Sequence, residues 1–135
     1  MTQMKSLLAT TITSATIVSA TLFSVNALAG LPIAGCKDTD FVQGADKNQI
    51  NSVGKTYSPK CLKIKIGAEV TIDASSHHPL EAMPDIDKAP NPFANAPQFK
   101  APQTRTMNQA GLFGYYCDAH GDQTGKGMAG VIWVE

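Results

Sequence analysis

The sequence predicts an all-β domain, an antiparallel sandwich or barrel. Three observations predict it. Apolar and polar residues alternate with a period of two in several short runs. Turn residues separate those runs. Between residues 80 and 102, five prolines exclude a central strand and any long helix.

The elements follow in order. Leu62, Ile64 and Ile66 alternate with Lys63 and Lys65, and Gly67 ends the run. Val70 and Ile72 alternate with Thr71 and Asp73. Both read as strands with one face in a core and one in water. The stretch with Pro84, Pro90, Pro92, Pro97 and Pro102 reads as a long connection, with one short helical turn over residues 93–96. Thr104 to Met107 carries a weaker strand pattern. Leu112 and Phe113 lead into Gly114-Tyr115-Tyr116-Cys117, an aromatic-rich strand. Val131-Ile132-Trp133-Val134 is continuously apolar, so it predicts a strand covered on both faces.

The first 29 residues read as an export signal. Lys5 supplies a positive start, and an apolar run with many Thr and Ser extends from Leu7 to about Val25. Ala27-Leu28-Ala29 has the small-x-small pattern that signal peptidase cuts. The hydroxyl residues interrupt the run too often for a spanning helix. Cleavage would leave residues 30–135 as one domain with no membrane span, expected to be a monomer outside the cytoplasm, in the periplasm. Eleven Lys and Arg balance eleven Asp and Glu over the whole sequence. With Lys5 gone the remainder has one acid in excess, so nothing marks a nucleic-acid binder.

Three cysteines remain: Cys36, Cys61 and Cys117. An odd count in an exported domain asks for one disulfide and one special thiol. Cys36 and Cys61 flank the first part of the domain and are the natural pair. Closing a loop of about 25 residues is worth about 3 kcal/mol. A rival reading takes Ile33-Ala34-Gly35-Cys36 as a lipobox, in which a lipid on Cys36 would replace the disulfide.

Cys117 is then a thiol in need of a partner. The histidines are His77, His78 and His120, and the methionines after residue 29 are Met83, Met107 and Met128. His77 and His78 follow one predicted strand; Cys117, His120 and Met128 follow another. Loops at one pole of a sandwich can bring such groups together. A thiolate, two imidazoles and a thioether form a soft donor set. Structural zinc gains little from a thioether. A His₂Cys site with a long axial Met suits copper in electron transfer. No C-x-x-C-H occurs for haem attachment.

Three segments carry a resemblance. "GYYCDAHGDQTGKGMAGVIWV", "GAEVTIDASSHHPL" and "CKDTDFVQGADKNQINSVGKTYSPKCLKIKI" resemble, respectively, the metal-binding ending, the first-histidine segment and the disulfide-closed start of the plastocyanin/azurin family of small blue copper proteins, the cupredoxins. The resemblance implies a Greek-key β-sandwich of the cupredoxin type and supports the Cys36–Cys61 pairing. It implies one copper ion cycling between Cu(I) and Cu(II). Cys117 would be the thiolate ligand, His78 and His120 the imidazoles and Met128 the axial thioether. It further implies a redox partner protein docking transiently near His120. Two departures stand out. Pro79 follows the first histidine where the family carries a polar residue, leaving His77 as the alternative. Seven residues separate His120 from Met128, more than in plastocyanin or azurin, and they should bulge outward with Gly125 and Gly127 permitting the turn.

The function these readings predict is single-electron transfer by a blue copper protein, not enzymatic turnover. The alternative is a chaperone or sequestration protein for copper, which would call for a more methionine-rich site. A Cys117–His120 nucleophile pair is a third reading, but it lacks an orienting acid or amide and leaves Met128 idle.

Overall fold

The computed structural model describes residues 30–87, 89–94 and 98–135. The export signal expected over residues 1–29 and the second half of the helical turn expected over residues 93–96 lie outside the described residues.

Strands form where the pattern predicts them and in four further places. In chain order they are β1 (Val42–Gln43), β2 (Lys47–Val53), β3 (Thr56–Ser58), β4 (Cys61–Ile64), β5 (Glu69–Ile72), β6 (Leu80–Ala82), β7 (Gln103–Thr106), β8 (Gly111–Gly121) and β9 (Gly127–Val134). A 3-10 turn over Asp38–Asp40 precedes them. One sheet has the order β1-β4-β9-β8-β6 and the other β3-β2-β5-β7. Their inner faces enclose a core that includes Ile50, Leu62, Ile64, Val70, Ile72, Phe113, Tyr115 and Ile132.

The sheets are mixed rather than purely antiparallel. β1 with β4, β4 with β9, and β2 with β5 are parallel pairs. The chain changes sheets between β3 and β4 and again between β4 and β5. Strands that become neighbours after such crossings need not run in opposite directions. Period-two alternation reports which face is buried and carries no information about strand direction.

The continuous apolar runs in β8 and β9 have a specific cause. On the outer face of their sheet, Ala34, Met83, Tyr116 and Ala129 form a second buried cluster. Cys36, Cys61, Leu112 and Val131 form a third. The chain before β1 and the proline-rich connection thus cover the face that would otherwise meet water. Trp133 is the one half-buried residue of the Val131–Val134 run. Its outward face is taken by the Lys63 ammonium, 3.6 Å from the ring centroid, and by an edge-on Phe41.

Cys36 and Cys61 form a disulfide, with Cα atoms 5.8 Å apart. The pair takes up the thiol a lipid at Cys36 would need, which overturns the lipobox reading.

The proline-rich connection is ordered by side chains. Asn91, buried, donates from Nδ2 to the Gly114 carbonyl (2.8 Å) and accepts from the Phe93 N–H (3.0 Å). Phe93 enters the core. Asp87 accepts from the Leu112 N–H (2.7 Å). A turn closes from Asn91 to Ala94, whose N–H donates to the Asn91 carbonyl. Ile66 is a smaller correction. It was expected inside a strand, but β4 ends at Ile64 and Ile66 is 54% exposed in the turn before β5.

Candidate metal centre

β8 fixes the first donor. Side chains alternate along a strand, so Tyr115 and Cys117 point to one face and Tyr116 to the other. Tyr115 and Cys117 lie in the main core, Tyr116 in the outer cluster. Cys117 is fully buried and is the free cysteine of the chain.

The second donor comes from a break in pairing. β8 and β9 pair regularly up to Tyr116 opposite Ala129, then shift until Gly121 faces Gly127. The irregular stretch between carries Cys117 to His120 on one strand and Met128 on the other. Two glycines make this possible. Gly127 has φ +71°, and a Cβ there would fall 2.3 Å from the His120 carbonyl oxygen. A Cβ on Gly121 would fall 2.6 Å from the Met128 carbonyl oxygen.

The residues that lengthen the His120–Met128 segment do turn outward. Asp122 Oδ1 accepts from the Thr124 N–H (2.8 Å), and the Gly125 N–H donates to the Asp122 carbonyl (3.0 Å). The Thr124 hydrogen bonds hold the Asp122 carboxyl below the usual range. Gly125, at φ +86°, completes the turn.

The remaining imidazole arrives from the other sheet. After β5 the chain folds on itself. The Ser75 N–H donates to the His78 carbonyl (3.1 Å), and the His78 N–H donates to the Ser75 carbonyl (3.2 Å). Ser75 Oγ also lies within hydrogen-bond reach of the His78 N–H (3.1 Å). Just beyond, the Asp118 N–H donates to the Pro79 carbonyl (2.9 Å), and Leu80 pairs with Cys117. The loop is therefore fastened to β8 directly beside the thiol.

The ring nitrogens converge on the sulfur. Cys117 Sγ is 3.5 Å from His120 Nδ1 and 3.8 Å from His78 Nδ1. The two imidazole centroids lie 5.0 Å apart at an interplanar angle of 45°. One donor atom from each of the three residues falls within 4.8 Å of the others. Of the two adjacent histidines, His78 is the one in this cluster; His77 is exposed. Met128 is fully buried in the same core cluster as Cys117.

His120 and His78 are each half-exposed, so the site has a buried sulfur and a wetter rim. Partial desolvation, then the charges of His78 and Lys55, hold the His120 imidazole below its ordinary pKa. On the inner side stands Tyr57, whose ring meets Tyr115 edge-on at 4.9 Å. Burial pushes the Tyr57 phenol well up, and the negative charges of Cys117 and Asp73 add to that. Sequence reasoning passed over Tyr57, Ser75 and Lys55. β3 has three residues, too few to display a period, and a serine in a turn is ordinary.

No known family profile and no curated protein matches the chain. Solved structures do. A copper-containing nitrite reductase from Thermus scotoductus SA-01 shares 18% identity at TM-score 0.52, over 72% of this chain and 28% of that one. A pseudoazurin from Sinorhizobium shares 23% at TM-score 0.48, over 70% and 75% of the two chains. A purple cupredoxin from Nitrosopumilus maritimus shares 18% at TM-score 0.44, over 65% and 99%. The chain shares the fold of the matched portion of the nitrite reductase, a two-sheet β-sandwich. It spans about a quarter of the nitrite reductase, so what is similar there is one portion of a larger chain. Within this sandwich the His78–Cys117–His120 cluster occupies one pole, where segments from both sheets meet.

Proposed function

We propose that the chain is a type 1 copper protein that carries single electrons between partners outside the cytoplasm. The observation that carries this reading is the buried, unpaired Cys117 facing the Nδ1 atoms of His78 and His120. Two imidazoles and a thiolate suit this use of copper and would hold it, with Met128 as the proposed thioether donor. Bound copper supplies the Cu(I)/Cu(II) couple.

The residues divide the work. Cys117 gives up its proton on binding and shares charge through its sulfur. His78 and His120 present Nδ1 inward, which puts Nε2 on the far side of each ring. His120 stands at the wet rim and is the proposed point of electron entry and exit, against a partner that docks briefly over a small area. The hairpin and the Ser75–His78 loop hold the donors before any metal arrives, so little need rearrange when the electron moves.

The disulfide suits an oxidising compartment. Export through cleavage near Ala29, a periplasmic location and a monomeric mature domain of residues 30–135 belong to the same proposal. Among the described residues no helix is long and apolar enough to cross a membrane.

The test is one equivalent of Cu(II) added to the purified protein, followed by visible absorption and paramagnetic resonance. Wild type should develop an intense sulfur-to-copper band, and Cys117→Ser should lose it completely. His77→Ala should keep it. A Cys117→Ser protein that stays intensely coloured would sink the ligand assignment. Ready loss of copper to a weak chelator would favour the delivery or sequestration role.

A further inference from the structure

A concavity of about 500 Å³ opens on the rim of the donor cluster, beside the half-exposed His120. Its charged lining is Lys55, Lys126 and Asp122. Ala119, Gly121 and Gly127 supply the rest, so little side-chain bulk separates the imidazole edge from whatever enters.

The two lysines come from different sheets. Lys55 stands at the tip of the β2–β3 hairpin, where the Thr56 hydroxyl braces the turn by donating to the Val53 carbonyl (2.8 Å). A Cβ on Gly54 would meet nothing within 4 Å, so this tip projects into water. Lys126 lies between β8 and β9, its carbonyl accepting from the Asp122 N–H (3.1 Å). Both lysines are exposed, and the ion pair found among the described residues, Lys63–Glu135, involves neither. The acids nearby are engaged elsewhere. The Asp122 carboxylate accepts from the Thr124 N–H and hydroxyl and from the Lys126 N–H, all within its own turn. Asp118 lies two positions from Tyr116 on β8, and such residues share a face. That outer face also carries Glu81, which accepts from the Tyr116 hydroxyl. Residues 30–135 have one acid in excess, so the positive character beside His120 is local and not a property of the whole chain.

We propose that this concavity docks an acidic redox protein, with Lys55 and Lys126 meeting carboxylates that surround the partner's own electron-transfer centre. This rests on the copper reading above, which makes His120 the point of electron entry and exit. A lone charge attracts without aligning; two ammonium groups held on separate sheets also orient the partner. Exposed charges are screened over about 8 Å at physiological salt, so they act on the rate of encounter more than on the tightness of the complex. That suits a carrier, which must release its partner after each electron. A nucleic acid or an anionic membrane would call for a longer basic run than two lysines.

The experiment has two arms. In the first, a hexaglutamate peptide is titrated into the metal-free protein at low salt and amide NMR signals are followed. The signals of Lys55, Ala119, Gly121 and Gly127 should shift, and Lys55→Glu should abolish the shifts. Lys65→Glu makes the same charge change in the exposed turn after β4, at the Val134 end of β9, and should leave them as they are. Shifts spread evenly over the surface, or lost equally in both variants, overturn the proposal. In the second arm the reduced, copper-loaded protein meets two oxidants of opposite charge, hexacyanoferrate(III) and tris-phenanthroline cobalt(III). Each takes one electron from the protein. Lys55→Glu should slow the anionic oxidant about fivefold and speed the cationic one by a similar factor, with both differences closing at about 0.5 M salt. Rates that ignore the substitution overturn the proposal, because the lysine would then lie off the electron's route. Wild type that never develops the copper band overturns the copper reading and the redox partner with it; a coloured wild type whose concavity ignores the peptide overturns this proposal alone.

Discussion

The two segments that build the metal pole do so in different ways. The hairpin from Cys117 to Met128 places three proposed donors within twelve residues of one chain segment, and its shape is set by glycines and a break in strand pairing. The Ser75–His78 loop brings one donor from the other sheet and owes its shape to hydrogen bonds closed on itself and on β8. The hairpin's geometry is largely intrinsic to its sequence. The loop's geometry exists only once the sandwich has formed. Local spacing can specify most of a metal site, but the last donor depends on the whole fold.

Several substitutions break or sharpen that contrast. The largest expected effect concerns neither segment but the frame they share. Replacing both Cys36 and Cys61 by Ala should cost about 3 kcal/mol in urea denaturation, from the loop-closure estimate. The copper band should survive, because Cys36 and Cys61 pack in a different core cluster from Cys117 and Met128. Gly127→Ala should cost about 2 kcal/mol, since its backbone is left-handed and the new Cβ would meet the His120 carbonyl. Here the copper band should change as well, because the hairpin itself is distorted. Ser75→Ala should cost about 1 kcal/mol. It should loosen copper through His78 while Cys117 and His120 stay in place, visible as a faster loss of copper to a chelator.

The smallest effect is a pH dependence. His120 in the folded, metal-free protein titrates below its ordinary value of 6.5. The unfolded chain therefore binds this proton more readily as pH falls. The contribution is complete above about pH 6.5 and is lost as pH drops through the unfolded and then the folded value. Melting temperature measured from pH 7.5 to 5 should fall, and His120→Gln should flatten part of the fall. An unchanged slope in that variant would remove His120 as its source.

The contrast also explains what could be read from the amino acids alone. Cys117, His120 and Met128 were legible because their side chains have metal-binding chemistry at close spacing, although the strand expected to end before them runs on as β8 through Gly121 and Met128 already lies in β9. The resemblance already pointed to His78 with His77 as the alternative; the turn at Ser75 that sets His78 beside Cys117 is announced by no local pattern. β4, β5, β7, β8 and β9 were visible through alternation or apolar runs. β2 was not, because Lys47-Asn48-Gln49-Ile50-Asn51-Ser52-Val53 buries Ile50 alone among its residues. β6 hid inside the proline-rich stretch, where Leu80 to Ala82 is too short to stand out. Parallel pairing was out of reach for a deeper reason: strand direction depends on which sheet the chain enters next.

Trp133 is the single tryptophan in the sequence. It sits five positions along β9 from Met128, which at strand spacing is about 17 Å. Indole emission should therefore report, as an intrinsic optical gauge, on the Lys63–Phe41 end of the barrel. Loading the opposite pole with metal should dim that light far less than melting the protein changes its colour, so uptake and unfolding can be followed separately in one cuvette.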